Sequence, residues 1–294
     1  MITAEKVFER YEELRPRLPV SSPRQGTKAL ASLLEISEEI DAFVFDAFGV
    51  LNIGNIQIPG ANKRLQQLRS KGHLIRILTN AASYEKSGAL DKFRRLGIEV
   101  ETNEIVTSRD AAMKLADSRL WGVIATPEDG LSDLRGQFIR LSDHAEAFDR
   151  TEGFLFLSSA DWTMQRQGLL EASLQQKPRR VIIANADLVA PREGRFSLEP
   201  GFFGQRISDH IDTEVLYFGK PFPDVYKMVE ESLPGIDPNR VAICGDTLHT
   251  DILGGLAAGW QSVFVTGDGL FAGRNASVFV EKSGIWPHYQ LHRI

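Results

Sequence analysis

The apolar run Phe43-Val44-Phe45 ends in Asp46, and Gly49 follows three residues on, within the segment DAFVFDAFGVL (residues 41–51). A short strand without polar alternation is buried on both faces, which is the habit of a parallel strand in an α/β sheet. In open sheets of this kind ligands bind and chemistry occurs at the carboxyl ends of the strands. A carboxylate placed there costs desolvation energy unless a cation lies beside it. An isolated Asp would read as a loop or helix cap. Here the pattern of a strand followed by polar residues recurs, in ILTNAAS (residues 77–83), FGKPFPDVY (218–226) and VAICGDTLHTDILGG (241–255). Leu74 to Leu78 reads as a strand with Thr79-Asn80 at its end, interrupted by Arg76. Val241 to Cys244 reads as another, with Gly245 and Asp246 after it, and Ser262 to Thr266 as a further one. Acids, a Thr-Asn pair and a Lys before a Pro at strand ends form a constellation suited to phosphate and metal.

Periodicity predicts a helix over 83–96 closed by Gly97, a strand at Glu104-Ile105-Val106, a helix over 109–115, and one from Asp251 to Ala258 closed by Gly259. Apolar strands are expected at 121–125, 137–141, 153–157 and 180–184, with a helix over 163–175 among them. The fold class that follows is α/β, a doubly wound, mostly parallel Rossmann-like core with an inserted α/β cap domain. The expected organisation is a helical arm at 1–39, a core at 40–109 and 215–294, and the cap at 110–214, a normal domain length. The arm reads as two helical pieces, one carrying Val7, Phe8, Tyr11 and Leu14, the other Leu30, Leu33 and Leu34. It is expected to pack on the core or on a partner subunit, the second arrangement implying a homodimer. The tail from His288 to Ile294 is expected to be weakly anchored.

Together these runs resemble the haloacid dehalogenase superfamily, whose members use an aspartate nucleophile and are mostly phosphatases. GKPFPDVY and GDTLHTDILGGLAAG look most like its class IIA, the p-nitrophenyl-phosphatase and sugar- or nucleotide-phosphatase group. The resemblance covers residues 40–109 and 215–275 and extends little into the middle of the chain. It implies that Asp46 is the nucleophile, that Thr79 and Asn80 donate to phosphoryl oxygens, and that Lys220 holds phosphate and nucleophile as a point charge. It implies a magnesium ion on Asp46, the Phe48 carbonyl and Asp246, with Asp251 acting directly or through water. Asp251 at a helix start also suits the helix dipole, and the two roles are compatible. In the cap, Asn185-Ala186-Asp187 resembles the Asn-Pro-Asp-like run of class IIA, making Asn185 and Asp187 substrate-binding candidates. Arg192 or Arg195 is placed to meet an anion, and Phe202 or Phe203 to stack on a ring, unless they form ordinary surface and core.

Two positions depart from that resemblance. Phe48 stands where most of these phosphatases carry a second Asp, which protonates the leaving group and then activates water. General acid–base help of that kind contributes about 10²–10⁴-fold in rate. Ala81 stands where class IIA members often have Asn. Dehalogenases of the superfamily carry an aromatic residue at the position of Phe48, so a haloacid-type dehalogenase is one alternative. A degenerate member that binds a phosphorylated ligand with little turnover is another. The paired acids Asp246 and Asp251 favour a cation, and hence a phosphohydrolase acting on a small phosphorylated metabolite. His249, inside the acidic loop, is a substitute proton donor or else an exposed residue of the helix start.

The 294 residues carry a formal net charge of −5, which gives no support to nucleic-acid binding as the main role. Cys244 is the only cysteine and lies in an apolar strand, so no internal disulfide can form. No apolar run has the length of a membrane span and no signal-peptide pattern opens the sequence, which makes a cytoplasmic location the expectation.

Overall fold

The structure, a computed structural model, describes residues 2–192 and 195–294. Seven strands form one sheet in the order Lys28–Ala29, Tyr289–Leu291, Gln261–Val265, Val241–Gly245, Ala42–Phe45, Leu74–Thr79, Ile105–Thr107. Every neighbouring pair is parallel. From the central strand Ala42–Phe45 the chain winds outward on one side through residues 74–107. It returns on the other side through residues 241–265. The strand order therefore reverses between Ala42–Phe45 and Val241–Gly245, and the crevice at their carboxyl ends receives both Asp46 and Asp246.

Both faces of this sheet are covered, which explains its unalternating strands. Phe43, Phe45, Ile75 and Ile77 pack on one side with Leu65, Leu68, Leu90 and Phe93 from the helices Ala61–Ser70 and Lys86–Arg95. Val44, Leu78, Val241 and Ile243 pack on the other with Val225, Tyr226 and Val229 from the helix Pro223–Glu231. Arg76 fits within its strand because its guanidinium reaches Ser232, with Nε 2.8 Å from the hydroxyl oxygen. Local chemistry sets the helix starts: Thr107 and Asp110 form a capping box at the helix Ser108–Met113, and Thr163 caps Met164–Gln176.

A second sheet has five parallel strands in the order Val215–Tyr217, Val181–Ile183, Gly153–Phe156, Trp121–Ile124, Phe138–Arg140. It extends past residue 214, because Val215–Tyr217 pairs with Val181–Ile183. A hairpin, Val189–Arg192 with Arg195–Leu198, projects from it. Arg109, wholly buried, ties the two units together: its guanidinium forms a fork on Asp133 at 2.8 and 2.6 Å and reaches the carbonyl of Ala82.

The N-terminal segment departs from two helical pieces. Ala4–Leu14 is a helix burying Ala4, Val7, Phe8, Tyr11 and Leu14. The second piece is instead the edge strand Lys28–Ala29 followed by a single 3₁₀ turn, Leu33–Ile36. Ser32 and Glu35 close that turn on their own backbone, so the leucines occupy one turn rather than a helical stripe. The tail is not loose. Tyr289–Leu291 lies between two strands of the large sheet, and Leu291 and Ile294 are buried. Val278-Phe279-Val280 lies in the helix Ala276–Ser283, capped by Asn275. Among the described residues, no helix is long and apolar enough to cross a membrane.

The first helix spans both units. Arg10, joined by Arg17 from the 3₁₀ turn Arg15–Arg17 that follows, pairs with Asp209 on the helix Pro200–His210, while Phe8 packs edge-on against His249 and Phe279 of the other unit. Truncating a well-packed buried Phe costs about 3–5 kcal/mol. Phe8→Ala should therefore lower unfolding stability in urea by that order, whereas a loosely attached arm would leave the midpoint unmoved.

Candidate active site

Strand ends of the large sheet and several loops of the second unit converge on a single cavity of about 1070 Å³. Asp46, Phe48, Thr79, Asn80, Asp246, Thr247 and Thr250 line it from one side. Asn185, Asp187, Arg192, Arg195, Glu199 and Phe203 line it from the other. Its volume matches the upper end of small-molecule clefts.

Lys220 stands at the electrostatic centre. Its ammonium, almost wholly buried, lies 2.5 Å from Asp46 Oδ1 and 2.7 Å from Asp251 Oδ1. Burial alone would favour the neutral amine. The carboxylates of Asp251, Asp46 and Asp187 overrule it and hold the lysine charged. Asp46 Oδ1 also accepts from the Ala47 N–H at 2.7 Å, whereas Oδ2 has no hydrogen-bond partner among the described residues. Asp46 thus keeps one oxygen fixed and one available.

Asp246 is held by the Leu270 N–H on Oδ2 at 2.6 Å and by the Thr247 hydroxyl on Oδ1 at 3.2 Å. Asp251 Oδ2 accepts from the Thr247 N–H at 3.2 Å. Oxygen atoms of Asp46, Asp246 and Asp251 all lie within 4.8 Å of one another. Close approach of backbone makes this grouping possible: Gly49 has φ +81°, and a Cβ there would come within 2.7 Å of the Asp246 carboxylate. Burial, offset in part by Lys220, pushes Asp46 up to about 7. Burial and the charges of Asp46 and Asp251 push Asp246 well above the ordinary carboxylate range. Three buried acids sharing one lysine are short of positive charge, and their all-oxygen donor set fits a hard divalent ion.

Thr79 and Asn80 reach the site differently. The Thr79 hydroxyl accepts from the Ala81 N–H at 3.2 Å, which leaves its own proton for another acceptor. The Asn80 amide is engaged within the protein, where Nδ2 donates to Asp187 Oδ1 at 2.8 Å and to the Lys220 carbonyl at 3.0 Å. Its Oδ1 accepts from the Lys220 N–H at 2.7 Å. Asn80 therefore fixes the Lys220 backbone and fastens the loop of Asp187 to the large sheet. Asn185 likewise accepts from the Asp187 N–H and donates to Glu199. Burial raises Asp187 to about 7 against the pull of Lys220 and Asn80.

His249 is neither exposed nor in the cavity. It is fully buried beneath the first helix, with Nε2 2.5 Å from Glu12 and its ring stacked on Tyr11 at 5.0 Å. Burial holds its pKa down. It is placed to anchor the arm, and the cavity wall near it is supplied by Tyr11, whose hydroxyl accepts from the Leu188 N–H. Sequence periodicity marked Tyr11 as buried but gave no sign that its oxygen reaches the site. Lys92 was missed altogether: it sits mid-helix in a charged stretch, yet it is buried, with its ammonium 3.9 Å from the centre of the Phe48 ring. Burial and the nearby Arg192 guanidinium lower it to about 8. Phe202 and Phe203 pack edge-to-face in the core of the second unit, Phe203 also stacking on Phe156.

Comparison with known proteins identifies the family and the fold. The family described as haloacid dehalogenase-like hydrolase matches residues 43–129, and the HAD-hydrolase-like family matches residues 217–277. Rat (Rattus norvegicus) chronophin is 25% identical over 275 residues, 90% of this chain and 89% of that protein. A possible sugar phosphatase of Cytophaga hutchinsonii superposes with a TM-score of 0.78 at 21% identity, covering 91% of this chain and 98% of that one. The p-nitrophenyl phosphatase of Archaeoglobus fulgidus superposes with a TM-score of 0.71 at 20% identity, covering 86% and 96%. With models of this superfamily matching both halves of the large sheet, the chain belongs to the haloacid dehalogenase-like hydrolases, and it shares with these two solved structures the fold of a core with an inserted α/β unit.

Proposed function

We propose that this protein is a magnesium-dependent phosphatase of a small phosphorylated metabolite, acting through an aspartyl-phosphate on Asp46. The observation that carries the reading is the asymmetry of Asp46, with Oδ1 held by Lys220 and the Ala47 N–H and Oδ2 left without a partner among the described residues. In the reaction Oδ2 attacks phosphorus, an O–P bond forms, and the ester P–O bond breaks to release the leaving group. Water then attacks the acyl-phosphate, returning the carboxylate and releasing phosphate. Lys220 keeps the attacking carboxylate oriented, and the Thr79 hydroxyl donates to a phosphoryl oxygen. Asn80 holds Lys220 in place, and Asn185 and Asp187 form the polar rim on the opposite wall.

Asp46, Asp246 and Asp251, with the Phe48 carbonyl, are the residues that would hold Mg²⁺. When bound, the ion supplies the charge neutralisation that phosphoryl transfer chiefly requires. The same acid cluster disfavours a haloacid dehalogenase, which has no use for so much buried negative charge. A ligand-binding module without turnover has no need of a half-free carboxylate beside a buried lysine. The names of the similar structures, a possible sugar phosphatase of Cytophaga hutchinsonii and the p-nitrophenyl phosphatase of Archaeoglobus fulgidus, support the same reaction class.

Phe48 cannot protonate a leaving group, and His249 is sealed beneath the arm. Turnover should thus fall steeply as the leaving-group pKa rises across a series of aryl and alkyl phosphates, and a flat dependence would reveal another proton donor. Asp46→Asn should reduce kcat/KM for p-nitrophenyl phosphate at least about a thousandfold, ~4 kcal/mol of transition-state stabilisation. Undiminished turnover in that variant would end the proposed reaction. Magnesium at a hundred times its dissociation constant should stabilise the fold by about 2.7 kcal/mol, read as a rise in Tm that Asp246→Asn removes. An unmoved Tm in the wild type would count against the ion.

A further inference from the structure

Lys92 presents an unusual problem in charge accounting. It is 7% exposed, yet among the described residues its ammonium has neither an ion pair nor a hydrogen bond. Two carboxylates act on it from a distance, Asp46, whose Oδ1 alone is engaged, and Glu199, engaged through both oxygens. Asp46 is held by Lys220, and Glu199 by Arg192, Ser197 and Asn185. Its remaining charged neighbours, Arg192 and Arg95, repel it. The stem of Lys92 is buried while its residue lines the cavity, and a largely desolvated charge without a direct counter-ion is suited to holding an anionic ligand.

The surroundings point into the cavity. Lys92, Phe48, Arg192 and Arg195 line the same space as Asp46 and Thr79. The ammonium of Lys92 lies 3.9 Å, and the guanidinium carbon of Arg192 5.0 Å, from the centre of the Phe48 ring. An aromatic face attracts both cations without neutralising either. An acidic side chain at position 48 would have given Lys92 an internal partner. Arg192 contributes one guanidinium edge to Ser197 and Glu199, while its Nη1 has no partner among the described residues. Arg195, exposed at the rim, adds a third positive charge to this wall.

We propose that Lys92 and Arg192, gathered over Phe48, bind a second anionic group of the substrate, a carboxylate or a second phosphate, while Asp46 and Lys220 act on the phosphoryl group. This rests on the phosphatase reading for the identity of the first group. The substrate class is thereby narrowed to phosphorylated acids and bisphosphorylated compounds, and phosphomonoesters with a neutral tail are the poorer ligands. The large cavity accommodates the spacer between two anions.

Phosphonates test this without turnover, because their C–P bond is not hydrolysed. Calorimetric titrations in excess Mg²⁺ would compare phosphonoacetate, 3-phosphonopropionate and ethylenebisphosphonate with methyl- and ethylphosphonate. At least one anion-tailed ligand should bind the wild type about tenfold or more tightly than its neutral-tailed counterpart. The carboxylate and bisphosphonate arms show which second anion is preferred. Lys92→Met should bring the ratio close to one, and Lys92→Arg, which keeps the charge, should retain most of it. Should Lys92→Met fail to fold, Arg192→Gln and a rise in salt from about 0.05 M to about 0.5 M should each shrink the wild-type preference. Equal affinities for all tails, no detectable binding of any, or a preference that survives both substitutions would overturn the proposal. Failure of the phosphatase reading is separable, since Asp46→Asn turnover reports on the reaction and the phosphonate ratio reports only on the second anion.

Discussion

The contact on which the site depends is the buried ammonium of Lys220 between Asp46 and Asp251. Two carboxylates so near each other, with Asp246 beside them, would repel strongly in a medium drier than water. One lysine reduces that repulsion and, by fixing Oδ1 of Asp46, decides which oxygen of that carboxylate remains available. Removing a single partner from such a group leaves buried charge uncompensated, which is the costly case. The strand ends bring the acids together, but it is the lysine, arriving from a separate loop after residue 217, that makes their company tolerable.

The same loop links chemistry to architecture. Asn80 grips the backbone of Lys220 with one end of its amide and Asp187 with the other, so the cation and the second unit share a clasp. Arg109 on Asp133 makes a second junction, and the first helix a third, through Asp209 on one side and His249 on the other. These junctions surround the cavity.

Much of the fold was legible because unalternating apolar strands and Gly-terminated helices leave strong local signals. The strands near 42–45, 74–79, 121–124, 153–156 and 241–245 lie where the apolar runs put them. The arm and tail misled for one physical reason: Lys28–Ala29 and Tyr289–Leu291 are strands only because they pair with each other and with Gln261–Val265. Pairing between segments so far apart in the chain leaves no local periodicity. Asp46, Lys220, Asp246 and Asp251 were legible as acids and a lysine at strand ends, and the structure gathers all four.

The sequence by itself determined the strand-end chemistry: an acid after each of two central strands, a Thr-Asn pair, a lysine, and an aromatic residue where an acid was expected. The first three follow from residue type and from the geometry of parallel sheets, whereas the acid expected at position 48 is what the family resemblance implied. Only the tertiary structure decided which of Asp46's oxygens is free, that His249 is sealed under a helix, that Asn80 serves as a clasp, and that Lys92 stands uncompensated over Phe48. Each of these depends on what lies across a gap from a side chain, and burial and counter-charge are properties of an environment that distant parts of the chain build together.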